Sequence, residues 1–259
     1  MKIVVLVKFV PDSTGARAFT ADTTTDRVGV DGLLSELDEY AVEQSLRVHE
    51  AAGEGEITFV TVGPEQAGAA LRKALSMGGD AAVHVVDDAI HGSDALATSL
   101  ILSKVLEKLE YDLVITGMAS TDAGMAVVPV MVAERLGLPA VTLASELTVN
   151  GGTVRIRRDT DDASETIEAS LPALVSVTDQ TGEARYPSFK GIMAAKKKPV
   201  TTYSLADLGV SADEVGLVGA WSRVDEVTKR PPRSAGIKVV DEGDGGVKLA
   251  EFLVSQKFI

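Results

Sequence analysis

The chain has 259 residues, 45% hydrophobic and 24% charged, with a formal net charge of −13, which suits a water-exposed globular protein long enough to bury a substantial core. It has no cysteine, which excludes disulfides, thiolate chemistry and Cys-ligated metals, and its three histidines (His49, His84 and His91) form no HxH or HxxxH pair, so no metal site is expected. The acidic balance and 4% aromatic content argue against nucleic acid as a partner, and no apolar run approaches the roughly 18–20 residues a membrane span needs.

The opening "MKIVVLVKFV" has a short apolar run, but Lys8 interrupts it and no small-residue cleavage site follows; it reads as a first strand over 3–10, and a cytoplasmic location is expected. After a polar, Asp/Thr-rich stretch, "DEYAVEQSLRVHEA" (38–51) sets Ala41, Val42, Leu46 and Val48 near one helical face. "EITFVTVG" (56–63) is the next strand, and the helix over 64–79 begins at Pro64 and ends at two glycines. "AAVHVVDD" (81–88) is a third strand, followed by a helix over 93–110 with Ser93 as its expected N-cap. "YDLVITG" (111–117) is a fourth strand, and 120–139 is a loop turning into a helix. This alternation predicts an α/β fold with a doubly wound, mostly parallel sheet.

From about residue 140 the pattern changes. Two alternating segments around Asn150-Gly151-Gly152 predict an extra β-hairpin, and 165–179 adds further strand. Residues 1–199 are read as the α/β domain. Residues 200–259 are read as an extended C-terminal arm whose amphipathic end (Val247, Leu249, Phe252, Leu253) needs a surface to lie against. Trp221 within it is either an interface anchor or a local core residue.

Ligands of open α/β sheets sit beyond the C-terminal strand ends, where strand order reverses. That selects the loops after Lys8, Gly63 and Gly117. In "GMASTDAG" small residues let backbone N–H groups approach a ligand, Ser120 and Thr121 add hydroxyls, and a helix start favours a phosphate. The same Ser120-Thr121-Asp122 also reads as a plain N-cap. There is no G-x-x-x-x-G-K-[ST] and no G-x-G-x-x-G after a strand, so a bound nucleotide is held by neither device. No nucleophile elbow or Ser/His/Asp arrangement is visible, and no catalytic residue is assigned.

"YPSFKGIMAAKKKPV" (186–200) is a further anomaly. From Arg185 to Lys198 the chain carries five basic side chains and no acidic one, beside Phe189, Ile192 and Met193. Either these apolar residues cap a helix against the core while Lys196, Lys197 and Lys198 offset its dipole, or an exposed anchor ringed by charge awaits a partner. Pattern alone leans to the first.

The ordered motifs resemble the β subunit of electron transfer flavoprotein over almost the whole chain. The resemblance is carried by "IVVLVKFVPD" (3–12), "DEYAVEQSLRV" (38–48), "VTVGPEQAGAALRKALSMGGDAAVHV" (60–85), "DLVITGMASTD" (112–122), "LPALVSVTD" (171–179), "EARYPSFKGIMAAKKKPV" (183–200) and "LADLGV" (205–210). The resemblance implies an adenine-nucleotide-binding α/β domain in an αβ heterodimer with one FAD, held mainly by the α subunit, and one structural AMP in the β subunit. Such a heterodimer is an electron carrier rather than an enzyme. It takes electrons from acyl-CoA and related flavin dehydrogenases, as in fatty acid oxidation, and passes them to a quinone-linked oxidoreductase.

Carried over position by position, the implied AMP site is Leu6, Ser35, Val62, Gly63, and the stretch Gly117, Ser120, Thr121, Asp122, Ala123, Gly124, Met125, Ala126, Val127 and Val128. Relatives have a more polar run after the matching Asp. Here Ala123 to Pro129 lacks it, leaving Ser120, Thr121 and backbone N–H groups for the phosphate. Members that bifurcate electrons place a second FAD in this pocket; of their opening motif this chain keeps Asp122, with Met125 and Val127 at the Thr and Gln positions. The segment about 184–198 matches a recognition loop in which Phe189 anchors in a partner dehydrogenase, with Ile192, Met193 and the three lysines around it. Asp159 matches an acidic contact to the mobile flavin domain, and Leu37 with the Val10, Pro11, Asp12 turn matches positions facing the flavin. The arm 200–259 is then expected to wrap the α subunit. A stand-alone adenine-nucleotide-binding module and a nucleic-acid binder acting through the Lys triplet are the competing readings.

Overall fold

A computed structural model describes residues 1–15, 17–233 and 236–259. Strands β1 (Lys2–Leu6), β2 (Phe9–Pro11) and β3 (Gly32–Leu34) precede helix α1 (Glu36–Ala52). Then come β4 (Glu56–Val62), α2 (Gly68–Met77), β5 (Ala81–Val85), α3 (Ala95–Leu106), β6 (Leu113–Gly117) and α4 (Val128–Leu136). Strands β7 (Ala140–Ala144), β8 (Glu146–Asn150), β9 (Thr153–Asp159), β10 (Ser164–Ser170) and β11 (Ala173–Val177) follow. The remainder is α5 (Phe189–Ala195), β12 (Val200–Tyr203), α6 (Leu205–Leu208), α7 (Gly216–Gly219) and α8 (Gly245–Ser255).

Seven parallel strands form one sheet in the order β12-β5-β4-β1-β6-β11-β7. Such a sheet is covered on both sides, which is why Ile3 to Leu6 and Leu113 to Gly117 are apolar or small without alternation and wholly buried. Ile3, Val5, Phe59 and Ile115 pack with Ala41, Val42, Leu46, Leu71 and Leu75 of α1 and α2. On the other face Val4, Val60, Val83 and Val114 pack with Ile101, Val105, Leu106 and Val132 of α3 and α4. From β1 the chain moves to β4 and β5 on one side, then returns to β6 on the other. The reversal of strand order therefore falls beside β1.

The three-stranded antiparallel sheet β10-β9-β8 is separate. Gly151 and Gly152 both have positive φ (56° and 81°), as a two-residue hairpin turn with the right-handed strand twist requires. Val154 and Ile156 point into the core, while Arg155 and Arg157 alternate outward. The expected hairpin is present and gains a third strand, and the first half of 140–159 divides between the main sheet (β7) and β8.

Three expectations are corrected. The run 3–10 is two strands: the Lys8 N–H leaves the sheet to donate to the Asp38 carboxylate (2.8 Å) and its carbonyl accepts from Ser35, so the chain turns off to pair β2 with β3. Asp94, not Ser93, caps α3 through the Ala97 N–H, while the Ser93 hydroxyl donates to the Ile90 carbonyl and accepts from the Gly216 N–H. The boundary at 200 is too early. Strand β12 extends the sheet edge on β5, and Leu205, Leu208, Val210 and Val215 are buried in the core, so the compact unit runs from Met1 to Asp225. Short polar spacers around these residues hid their burial.

Glu226–Ile259 is a second unit. Within it α8 leaves Val247, Leu249, Phe252 and Val254 exposed.

Candidate functional site: a cleft at the strand-order reversal

A cleft of about 1000 Å³ opens beyond the C-terminal ends of β1, β4, β5 and β6. Leu6, Val62, Leu102, Val128 and Pro129 give it apolar walls, and Gly63 and Gly117 bring backbone close to it. Predicted residues Leu6, Val62, Gly63, Gly117, Ser120, Ala123, Met125, Ala126 and Val128 all line this cleft. Thr121, Asp122, Gly124 and Val127 belong to the same loop. Ser35 is not a lining residue: it is fully buried behind the loop, and its hydroxyl accepts from the Thr121 N–H at 3.4 Å.

Two cations on the cleft wall face one buried carboxylate. Lys8 Nζ lies 2.9 Å from Asp122 Oδ1 and 3.3 Å from Ser120 Oγ, and Arg27 pairs with Asp122 Oδ2. Burial opposes ionisation of Asp122, but the Lys8 ammonium, the Arg27 guanidinium and the Ser120 hydroxyl outweigh it and hold the carboxyl well below its usual range. Beneath them Asp38 is buried. Desolvation pushes its carboxyl up to about 7, against backbone N–H donors from Lys8 and Gly117.

Thr20 and the stretch from Thr24 to Val28 also line the cleft. Arg17 reaches the Thr121 carbonyl (2.9 Å), while Asp22 meets His91 Nε2 at 2.8 Å on the side of the loop after β5. Asp26, Glu65, Asp87, Asp88 and Asp94 line the cleft as well, and among its described lining residues the lysine and arginine side chains are Lys8 and Arg27. Sequence reasoning missed Lys8, Arg27 and Asp38. A lysine breaking an apolar strand next to a switch point was a usable signal for Lys8. Nothing local marks Arg27, whose partner is 95 residues away.

An anionic adenine nucleotide fits these residues. Among the described residues the N–H groups of Met125, Ala126 and Val127 have no partner, and Gly124 and Ala126 are both left-handed (φ 61° and 56°). An alanine in that region is strained by about 1–2 kcal/mol, and left-handed residues within a turn are a feature of main-chain anion sites. The side chains of Ala123 to Pro129 are apolar or absent, so what this stretch can offer an anion is main chain.

The basic segment lies elsewhere on the fold. Phe189 and Tyr186 are 81% and 92% exposed, and Ile192 and Met193 are also exposed, so these side chains do not cap α5 against the core; Ala195 alone is buried there. Lys196 and Lys197 are exposed. Lys198 is not a free charge: its ammonium donates to the Leu75 (2.9 Å) and Gly78 (3.2 Å) carbonyls at the end of α2.

Of the residues expected to face a flavin, Leu37 and Asp12 are half-buried, whereas Val10 and Pro11 are buried in the β2–β3 ribbon and offer no side-chain surface. They form a strand rather than a turn. The Asp159 carboxylate accepts from Ser145 Oγ (2.6 Å), Arg157 Nε (2.9 Å) and Ser164 Oγ. Trp221 is 88% exposed, which excludes a local core role within this chain.

The family model for the electron transfer flavoprotein domain matches residues 22–208. The chain belongs to the electron transfer flavoprotein β-subunit family. Curated electron transfer flavoprotein β subunits from Mycobacterium leprae and Mycobacterium tuberculosis are 49% and 48% identical to it over 99% of each chain. The β subunit from Megasphaera elsdenii is 31% identical over the full length of both. Membership in this family supports a role in electron transfer and an α-subunit partner. Among the described residues no helix is long and apolar enough to cross a membrane.

Proposed function

We propose that this chain is the β subunit of a heterodimeric electron carrier. It accepts electrons from acyl-CoA and related flavin dehydrogenases and delivers them to a quinone-linked oxidoreductase, with AMP held in the cleft as a structural ligand. The observation that carries the nucleotide reading is the coincidence of the switch-point cleft with the Gly117–Val128 loop, whose N–H groups at 125–127, unpartnered among the described residues, and neighbouring Lys8 and Arg27 suit one phosphate. The apolar walls from Leu6, Val62 and Leu102 suit an adenine ring.

FAD, held mainly by the α subunit, supplies the redox chemistry when bound. The residues of this chain bind, orient and dock. Leu37 and Asp12 present the surface nearest the flavin position implied by the family, and Asp159 meets the mobile flavin domain. Phe189 inserts into the partner dehydrogenase with Ile192 and Met193 around it, while Lys196 and Lys197 raise the encounter rate with acidic partners. The exposed apolar face of α8 lies on the α subunit, as does Trp221.

Co-expression with the α partner, denaturation of the purified complex and quantification of released nucleotides tests this. One FAD and one AMP per heterodimer is the expected result. Two FAD and no AMP would move the chain to the bifurcating class. Absence of both a complex and a nucleotide would reject the assignment in favour of another use of the cleft.

A further inference from the structure

We propose that Arg185 is a positioning residue for partner docking, fixing the segment that presents Phe189 by pairing with Glu43 and Glu50 of α1. The inference rests on the reading of Phe189 as a docking anchor. Arg185 Nε donates to Glu43 Oε2 at 2.8 Å, its backbone N–H to the same oxygen at 3.1 Å, and Nη2 to Glu43 Oε1 at 3.2 Å. Nη1 and Nη2 also reach Glu50 at 2.5 and 3.2 Å. Glu43 is 3% exposed and takes a further bond from Arg47 Nε (2.8 Å). Burial works against its ionisation, but the two guanidinium groups outweigh it and hold its carboxyl below the ordinary range.

The same helix grips the approach to this segment. Arg47 donates to the Thr181 and Glu183 carbonyls, and Gln44 to the Thr181 carbonyl. At the far end Arg72 of α2 donates to the Ala195 carbonyl at 2.6 Å. Between the two fastenings α5 rests directly on α2: a Cβ on Gly191 would lie 2.4 Å from the Ser76 carbonyl oxygen. The segment is thus pinned at both ends while its largest apolar side chains, Tyr186 and Phe189, remain exposed.

Core burial does not account for this arrangement, because α5 buries only Ala195. Keeping a carboxylate such as Glu43 out of water is unfavourable unless it is fully partnered. Arg47 alone would partner Glu43 within α1; Arg185 adds the docking segment to the pair. A rigid anchor loses less conformational freedom on binding, so preorganisation converts into affinity. Arg185 supplies it through charge-assisted, forked hydrogen bonds that lysine cannot reproduce.

The experiment uses the αβ heterodimer and a flavin dehydrogenase that reduces it, comparing wild type with Arg185→Lys, Glu50→Gln and Phe189→Ala. Arg185→Lys is expected to raise the KM for the carrier about fivefold with kcat and flavin content unchanged, and to speed amide exchange over 185–195. Glu50→Gln, at an exposed arm of the clamp, should raise KM about twofold and carries the test if Arg185→Lys folds poorly. A raised KM in Phe189→Ala with KM and exchange unchanged in the clamp variants would overturn the positioning role and leave docking intact. An unchanged KM in Phe189→Ala would instead remove the docking reading itself.

Discussion

The Lys8 ammonium lies 2.9 Å from the Asp122 carboxylate, joining the end of β1 to the loop after β6 across a sequence separation of 114 residues. These are the strands between which chain order reverses, so the ion pair spans the base of the cleft. Asp122 Oδ2 is taken by Arg27, which ties the 19–28 segment to the same point.

Asp122→Asn should therefore loosen the cleft and destabilise the protein together. Breaking a fully buried pair costs about 3–5 kcal/mol; Lys8 and Arg27 keep some contact with water, so about 2 kcal/mol is expected, a fall of about 4–8 °C in Tm. The carboxyl's pKa is depressed in the fold, so its contribution is present above the unfolded value near 4 and is lost as pH falls below it. Thermal melts of wild type and variant at pH 7 and at the lowest pH where both fold should converge toward the acid end. A gap that stays constant would contradict the ion-pair account.

The sheet was legible in the sequence because its strands are buried on both faces and read as continuous apolar runs. β12 was not, since Val200 to Tyr203 is an edge strand of intermediate and exposed residues with no such signature. In the site, topology alone selected the loop after Gly117, while its extent to Val128 came from the family resemblance. The charges that complete it could not: Arg27 sits in a polar stretch without periodicity, and Asp38 looks like an ordinary first-turn helix acid. Its burial follows from the departure of Lys8 from the sheet, a contact between elements 30 residues apart.

Asp38 gives a pH dependence of the opposite sign. Its folded pKa is pushed up to about 7, so between about pH 4 and 7 the folded state holds a proton that the unfolded chain releases, and stability from this group declines as pH rises. Asp38→Asn removes the charge but leaves one acceptor for the two backbone N–H groups of Lys8 and Gly117. At pH 5 the variant should be less stable than wild type; at pH 8 the difference should shrink or reverse, because wild type then buries a carboxylate. Urea midpoints at the two pH values decide it, and equal differences would exclude the raised pKa.

Gly117 ends β6 where backbone, carboxylate and cleft meet. A Cβ there would lie 2.4 Å from Asp38 Oδ1 and 2.8 Å from the Leu37 carbonyl oxygen. Neither neighbour is the free end of a flexible side chain, so β6 and the start of α1 must separate. Gly117→Ala should cost about 1–3 kcal/mol by overpacking and reduce nucleotide retained through gel filtration. Full stability with full nucleotide content would show that α1 yields more easily than the contacts indicate.

The three lysines after α5 are one motif in sequence and two roles in structure. Lys198 donates to the Leu75 and Gly78 carbonyls, closing the end of α2, and burial draws its pKa below the ordinary lysine value. Lys198→Ala should lower stability by about 1–2 kcal/mol, or about 2–8 °C in Tm, because charged hydrogen bonds to helix-terminal carbonyls are lost. Lys196 and Lys197 are exposed, and alanine at either should leave Tm within about 2 °C while slowing association with an acidic dehydrogenase at low salt. Stopped-flow rates against ionic strength, read beside melting curves, separate the two. If Lys198→Ala alone flattened the salt dependence and left Tm unchanged, its ammonium would be steering partners rather than capping α2.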